Sequence, residues 1–365
     1  MSKSFCSLGL MSGTSGDGID ASIIQSDGVN EYKLILDKYF KYSEDIYKNI
    51  HNLKDKINNS KDLKSFSKEI EILEKKITLF HAESVNKIVK ETKQNIDFLG
   101  FHGQTIYHNV KEKISKQLGD GELLSKLTKI NVIFNFRKND LKNGGQGAPL
   151  TPIFHKLLKN KYKFKTPLII LNIGGIANIT SIDSDDCMHS NDIGPGNCLI
   201  DNWVIMHSEM KYDEDGNIAK AGKINKTVLN KALENFKDIR DLKSYDVKDF
   251  DIFFAEGLSI EDGAATLIEY TSKILQKRLR KFYGGSEDNI IISGGGRKNK
   301  FLVKKIKEKI NVPLNLIDNY GINGDFVESQ AFAYLAIRSF LNLPISFPET
   351  TGVIKPCIGG TTIKI

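Results

Sequence analysis

The sequence predicts an α/β protein built from two related lobes. Strands alternate with helical segments along both halves of the chain, and a strand–glycine turn–strand unit that opens the first half returns in the second. Glycine-rich turns also stand at strand ends near residues 13, 174 and 294. One such turn is a weak sign. Turns at corresponding points of two α/β lobes point to a nucleotide in the cleft between them.

The first strand runs through Leu8-Gly9-Leu10-Met11-Ser12, and the chain resumes as a strand over Ile19-Asp20-Ala21-Ser22-Ile23-Ile24. The loop between them holds Gly13, Thr14, Ser15, Gly16, Asp17 and Gly18. Glycine permits positive φ and close approach of backbone amides to a guest, so two readings stand: an ordinary Gly/Asp hairpin turn, or an anion nest in which Thr14 and Ser15 help hold phosphate. Tyr32 to Tyr39 alternates as a third strand. From Ser43 to Val89 the apolar residues Leu63, Phe66, Ile70, Leu73, Ile77 and Phe80 fall at helical spacing, which predicts one or two amphipathic helices.

Ile96 to Phe101 is a short buried strand ending at His102-Gly103-Gln104-Thr105, and Ile130 to Phe136 is another ending at Arg137. A glycine-rich loop follows, Asn143 to Pro149, near which the first lobe closes. The second half repeats the opening: Pro167 to Ile173 as a strand, Gly174-Gly175 as the turn, Ile176 to Thr180 as the return strand. Then come a long helical pattern over Ala255 to Phe282 and a strand over Asn289 to Ser293. The turn Gly294-Gly295-Gly296-Arg297, a Lys-rich helix and an apolar helix over Asp325 to Leu341 complete the chain.

At 365 residues the chain is long enough for two substantial cores, and 40% hydrophobic with 27% charged content is that of a globular protein. The net charge of +7 is spread along the chain. No basic recognition module appears, so solvated lysine faces are favoured over nucleic-acid binding. Cys6, Cys187, Cys198 and Cys357 form no CxxC pair, which points to reduced cytoplasmic thiols and away from zinc. No signal-peptide pattern opens the chain, and no run approaches the roughly 20 apolar residues of a membrane span.

Two familiar nucleotide motifs are missing. No GxGxxG follows a strand, and Gly216 to Lys223 fails as a P-loop through its spacing and Ile224. Asp192-Ile193-Gly194-Pro195-Gly196-Asn197 sets a carboxylate before a Gly-Pro-Gly turn, to be read as a turn-initiating aspartate or as a general base at a strand end. His102 with Gln104 is a polar strand-end cluster or part of a sugar site. Arg137 is part of a charged turn or a bidentate grip on phosphate or carboxylate. Asp325-Phe326-Val327-Glu328 resembles a capping box, with Glu328 as its N3 residue. The histidines show no metal-ligand spacing.

Taken together, these segments resemble the anhydro-N-acetylmuramic acid kinases, in the actin/Hsp70/sugar-kinase ATPase superfamily. The matching stretches are GLMSGTSGDGID at 9–20, FHGQTIYH at 101–108, LGDGELL at 118–124 and FRKNDLKNGGQGAPL at 136–150. LNIGGIANIT at 171–180, DIGPGNCLID at 192–201, SGGGRKN at 293–299 and ESQAFAYLAIR at 328–338 continue in family order. The combination is far more specific than any member. Departures stand at Gly16, where the family usually has a larger apolar residue, and at Asn135, usually an aspartate. The 244–249 stretch and the tail 344–365 also depart, bearing on helix junctions and dimer geometry more than on chemistry.

The resemblance implies a duplicated ribonuclease H-like fold with an interlobe active-site cleft, the first lobe being 1–137 with 345–365 and the second 138–344. It implies a cytoplasmic homodimer that uses ATP and Mg²⁺, with the metal held mainly through phosphates and water. Gly13, Thr14, Ser15, Gly16, Asp17, Gly18, Ile19 and Asp20 would form the ATP phosphate loop, Gly174 and Gly175 a second, and Gly294, Gly295 and Gly296 would lie by the adenosine. Asp192 matches the catalytic aspartate, and His102, Gln104, Arg137, Asn197 and Glu328 fall in the substrate site. The implied reaction opens the 1,6-anhydro ring of anhydro-N-acetylmuramic acid with water while O6 takes the γ-phosphoryl group, as a step of cell-wall recycling. Competing expectations are a kinase for another amino sugar and an ATP-driven conformational switch; the polar cleft residues favour an enzyme.

Overall fold

The computed structural model describes residues 3–236, 245, 247–283 and 289–365. These form two units: Met1–Lys163 with Phe326–Ile365, and Phe164–Asp325. The strands of the first unit are β1 (Phe5–Ser12), β2 (Gly18–Ser26), β3 (Tyr32–Lys41), β4 (Phe98–Asn109), β5 (Ile114–Leu118) and β6 (Asn131–Phe134). The second unit has β7 (Leu168–Ile173), β8 (Ile176–Ile182), β9 (Met188–Pro195), β10 (Asn289–Ser293) and β11 (Leu314–Leu316). The chain ends with β12 (Thr361–Ile363), back in the first unit.

The two sheets share one plan. In the first unit β3, β2 and β1 form an antiparallel meander, and β4 and β6 continue beyond β1 in parallel. In the second, β9, β8 and β7 form the meander and β10 and β11 continue in parallel. Strand order 3-2-1-4-5 with this pattern is the ribonuclease H-like sheet, present twice as the sequence reading expects. Each unit fills its own core: Leu10, Ile23, Leu99 and Ile77 in the first, Leu171, Ile179, Trp203 and Ile268 in the second.

Several elements differ from the sequence reading, each for a local reason. The Ser43–Val89 region holds three helices, Glu44–Lys56, Ser60–Ser65 and Ser67–Thr92. Asn59 interrupts the run by accepting from the Lys61 amide while Asp62 accepts from the amide of Asn59, a reciprocal cap that starts a new helix. β6 stops at Phe134 because Asn135 takes a left-handed conformation (φ 58°) from which the helix Phe136–Lys142 begins. Asparagine tolerates that region better than most residues, a local reason for the departure at this position. The unit boundaries fall at 163/164 and 325/326, where the sequence reading has 137/138 and 344/345. In the helix Pro152–Tyr162, the ring of Phe154 meets Tyr32 and Tyr334, which ties that helix to the first unit.

The helix Val327–Phe340 lies on β1, β2 and β4 at very close range. Gly9 and Gly100 are register partners on adjacent strands. A Cβ on Gly9 would lie 1.9 Å from the Ser329 carbonyl oxygen, and one on Gly100 would lie 2.2 Å from that of Phe332. Neither obstacle is a side chain that can swing away. Replacing Gly100 with alanine is therefore expected to lift the helix and cost about 1–3 kcal/mol or more, as overpacking does. Denaturant unfolding measures it, and an unchanged midpoint would contradict the close-contact account.

Candidate functional site

In the first unit the site is built on the β1–β2 turn. Ser12 ends β1 with its hydroxyl 2.7 Å from the Gly18 carbonyl, 2.9 Å from Gln104 Oε1 and 2.9 Å from the Tyr42 hydroxyl. Gln104, wholly buried, donates from Nε2 to the Gly13 carbonyl at 2.9 Å. Gln104 therefore braces the turn from beneath. From the helix Glu44–Lys56, Lys54 donates to the Thr14 carbonyl (2.7 Å) and the His51 ring meets the Ser15 carbonyl (2.9 Å). Asp17 accepts from Ser15 and from Tyr39 (3.1 Å). Thr14, Ser15 and Asp17 are exposed, whereas Ile19 is a core side chain and only its backbone is available to a ligand. Asp20, half-buried, faces Met11 across the ladder. Gly16 adopts φ +62°, and a Cβ there would meet Ile50 at 3.0 Å, so glycine suits this position better than a larger residue.

The second group centres on a bulge. Leu10 pairs with Phe101 and Met11 with Gly103, so His102 is an extra residue on β4. A bulge re-aims a side chain locally. Here the His102 ring donates from Nδ1 to the Gly103 carbonyl (2.7 Å), leaving Nε2 to accept from Arg137 Nε (3.2 Å) and Nη2 (3.0 Å). Arg137 Nη1 donates to the Gly147 carbonyl at 2.7 Å. Burial lowers the guanidinium's pKa, and the charges of Glu328 and Asp140 oppose that shift. Burial raises the Glu328 carboxyl, with Arg137 opposing. Arg137, His102 and Glu328 are thus brought together, though His102 and Gln104 lie inside β4 and not at its end.

Glu328 is not part of a capping box. The helix begins at Val327 with Phe326 as N-cap and no side-chain cap, which makes Glu328 the second helical residue. The carboxylate of Asp325 is taken by Arg297 and Lys298 instead. Asp140 was not singled out from the sequence. Buried in the helix Phe136–Lys142, it accepts from the Gly147 amide and from Thr351 Oγ1 (2.6 Å), and so shapes the glycine-rich loop whose carbonyl holds Arg137.

In the second unit the turns interlock. Gly196 and Cys198 donate their amides to the Gly175 carbonyl, and Asn197 donates to that of Gly174 at 2.8 Å. A Cβ on Gly196 would lie 2.2 Å from the Gly174 oxygen. Gly294 (φ +80°) presses on Asn172 and Ile173 in the same way, and Gly296 lies beside Ile173 and Asn197 Oδ1. Gly295 opens onto free space. Arg297 clamps this third turn: it meets Asp318 at 2.7 and 3.0 Å, Asp325 at 2.7 Å and the Gly294 carbonyl at 3.0 Å. Both Gly174 and Gly294 follow the carboxyl ends of neighbouring parallel strands, β7 and β10, where open α/β sheets receive ligands.

Asp192 lies beside a second bulge. Ala177 pairs with Gly194 and Asn178 with Asp192, so Ile193 is the extra residue. Asp192 sits inside β9, and the Gly-Pro part of the following turn belongs to that strand. Its Oδ2 accepts from the Tyr245 amide at 2.9 Å. Burial pushes the carboxyl up to about 6, with that amide opposing. Tyr245 belongs to the altered stretch 244–249, so that stretch contacts Asp192. Ser244 and Asp246 of that stretch lie outside the described residues. The described residues hold no group of three or more His, Cys, Asp or Glu able to hold a metal ion.

Two ribonuclease H-like units, each opening with a strand–glycine turn–strand, define the fold of the actin/Hsp70/sugar-kinase class. The family model for anhydro-N-acetylmuramic acid kinase matches residues 6–364. An anhydro-N-acetylmuramic acid kinase of Pelagibacter ubique is 54% identical, covering 100% of both chains. One of Zymomonas mobilis is 38% identical over 97% of this chain and 98% of its own. The chain belongs to the anhydro-N-acetylmuramic acid kinase family.

His102, His81 and His155 are all buried and held neutral, the latter two lowered to about 4. A histidine whose folded pKa lies below its unfolded value contributes stability above about 6.5 that is lost as pH falls. The melting temperature is therefore expected to drop between pH 7 and 5, and to drop less in His81→Asn. A melting temperature that is flat over this range, or identical slopes for the two proteins, would contradict this.

Proposed function

We propose that the chain catalyses ATP-dependent opening of the 1,6-anhydro ring of anhydro-N-acetylmuramic acid with phosphorylation at O6, giving N-acetylmuramic acid 6-phosphate. The observation that carries this reading is Asp192, a half-buried carboxylate whose pKa of about 6 suits a base at neutral pH. Membership of the family supports the substrate.

An anhydro bridge has no free 6-hydroxyl to deprotonate. Hydrolysing such an acetal ordinarily takes an acid for the departing oxygen and a base for water. Transfer of the γ-phosphoryl group to O6 replaces the acid, so one carboxylate suffices. Water adds to C1 as the C1–O6 bond breaks, its proton passes to Asp192, and O6 leaves with the phosphoryl group as ADP departs. Direct attack inverts C1. Arg137, oriented by His102 and Gly147, supplies a fork for the carboxylate or phosphate of the reactants, and Glu328 beside it accepts from a sugar hydroxyl or amide.

The open amide-bearing turns at Gly13–Gly18, Gly174–Gly175 and Gly294–Gly296 fit phosphates and nucleotide: their carbonyls are engaged with the protein and Gly295 faces free space. Mg²⁺ bound through the phosphates would neutralise developing charge, and Asp17 or Asp20 would orient its water shell. We also infer a cytoplasmic homodimer. Ile205 and Met206 on the helix Cys198–His207, and Met210 and Tyr212 just after it, are each exposed and support association; no helix among the described residues is long and apolar enough to cross a membrane.

Incubation with Mg-ATP and the anhydro sugar in ¹⁸O water, read by mass spectrometry, tests the reaction. The product should carry both phosphate and one heavy oxygen, and Asp192→Asn should slow its formation by about 10²–10⁴-fold while nucleotide binding persists. Phosphate without label would mean an ordinary hydroxyl kinase, and near-normal turnover of the variant would remove Asp192 from its role.

A further inference from the structure

A second carboxylate, far from Asp192 in sequence and unused in the reaction above, sits beneath the helix that bears Glu328. Asp37 on β3 is half-buried, and no cation pairs with it among the described residues. Its Oδ1 accepts from Ser22 Oγ at 2.6 Å, and its two oxygens accept from Gln330 Nε2 at 3.1 and 3.0 Å. Ser22 Oγ is also 2.6 Å from Ser329 Oγ, and Gln330 Oε1 accepts from the Tyr32 hydroxyl at 2.8 Å. Ser329 and Gln330 are the two residues that follow Glu328.

A carboxylate only accepts, so Ser22 must donate to Asp37. Ser329, whose hydroxyl also lies 2.9 Å from the Phe326 carbonyl, shares its one proton between that oxygen and Ser22. The Gln330 amide must turn its nitrogen to Asp37 and its oxygen to Tyr32. The layer beneath is Gly100, Gly9, Ser22 and Asp37, register partners across β4, β1, β2 and β3. Small residues let the helix descend, and the carboxylate fixes its rotation. A carboxylate that loses solvent without a counter-cation is costly, and burial raises the Asp37 pKa accordingly. An apolar or neutral residue would serve mere packing better.

We propose that Asp37 is a positioning residue, which sets the first turn of the helix Val327–Phe340 and thereby aims Glu328 at the sugar. This rests on the reading of Glu328 as a sugar contact. The test is steady-state kinetics on full-length Asp37→Asn, Glu328→Gln and the double variant, varying sugar and ATP separately, with melting temperatures. An amide can donate as well as accept, so Asp37→Asn scrambles both sets of hydrogen bonds while keeping shape. It should lower kcat/KM for the sugar by about tenfold, within the range that misplacement costs. The KM for ATP should change by less than about twofold and the melting temperature should hold within a few degrees, as for a conservative change at a half-buried site. In the Glu328→Gln background, Asp37→Asn should add little further loss, because coupled residues are not additive. If Asp37→Asn instead lowers the melting temperature while sugar kinetics stay normal, or weakens sugar and ATP alike, Asp37 is only structural and the proposal fails. An effect of Glu328→Gln without one from Asp37→Asn overturns the Asp37 assignment alone. No effect of Glu328→Gln overturns the reading of Glu328, and Asp37 with it.

Discussion

The arrangement depends on backbone meeting backbone with no side chain between. Ser329 and Phe332 carbonyls of one helix rest on Gly9 and Gly100 of adjacent strands. In the other unit, Gly196 rests on the Gly174 carbonyl and Gly294 on that of Ile173. A glycine at such points costs conformational entropy in the unfolded chain. In return, a helix end or a turn comes close enough to a strand end for its amides and side chains to reach a common ligand. The glycines are steric permissions first, and ligand contacts only where they open outward, as Gly295 does.

On that frame, each unit loses step by one residue at or beside a side chain of the candidate site. His102 is the extra residue on β4, and Ile193, next to Asp192, is the extra residue on β9. The bulges turn side chains that would follow the strand's alternation. Few groups surround the ionisable side chains there. Arg137 keeps its charge among His102, Gly147, Asp140 and Glu328, and Asp192 has burial on one side and a single amide on the other. That balance puts the Asp192 carboxyl at about 6.

Much of this was legible in the sequence because it is local. The paired strand–glycine–strand units, the apolar periodicities and the Asp192 and Arg137 motifs all announce themselves within about ten residues. What escaped is what depends on distant partners. The bulges exist only relative to a neighbouring strand. Asp140 reads as a surface charge in FRKNDLK until Thr351 and Gly147 close over it. The capping-box pattern at Asp325 gave way because Arg297, outside the helix, takes that carboxylate. The contact of the altered 244–249 stretch with Asp192 has the same cause: only the folded chain brings the Tyr245 amide to that carboxylate.

If Asp192 receives the proton of the attacking water, as proposed, its raised pKa must show in the pH dependence of sugar turnover. A base must be ionised to act, so kcat/KM for the anhydro sugar should fall tenfold per pH unit below an apparent pKa near 6. The measurement is that profile from pH 4.5 to 8.5 at saturating Mg-ATP. An acid limb near 6 is the predicted result. A profile that stays level down to the ordinary aspartate range near 4 would contradict the assignment.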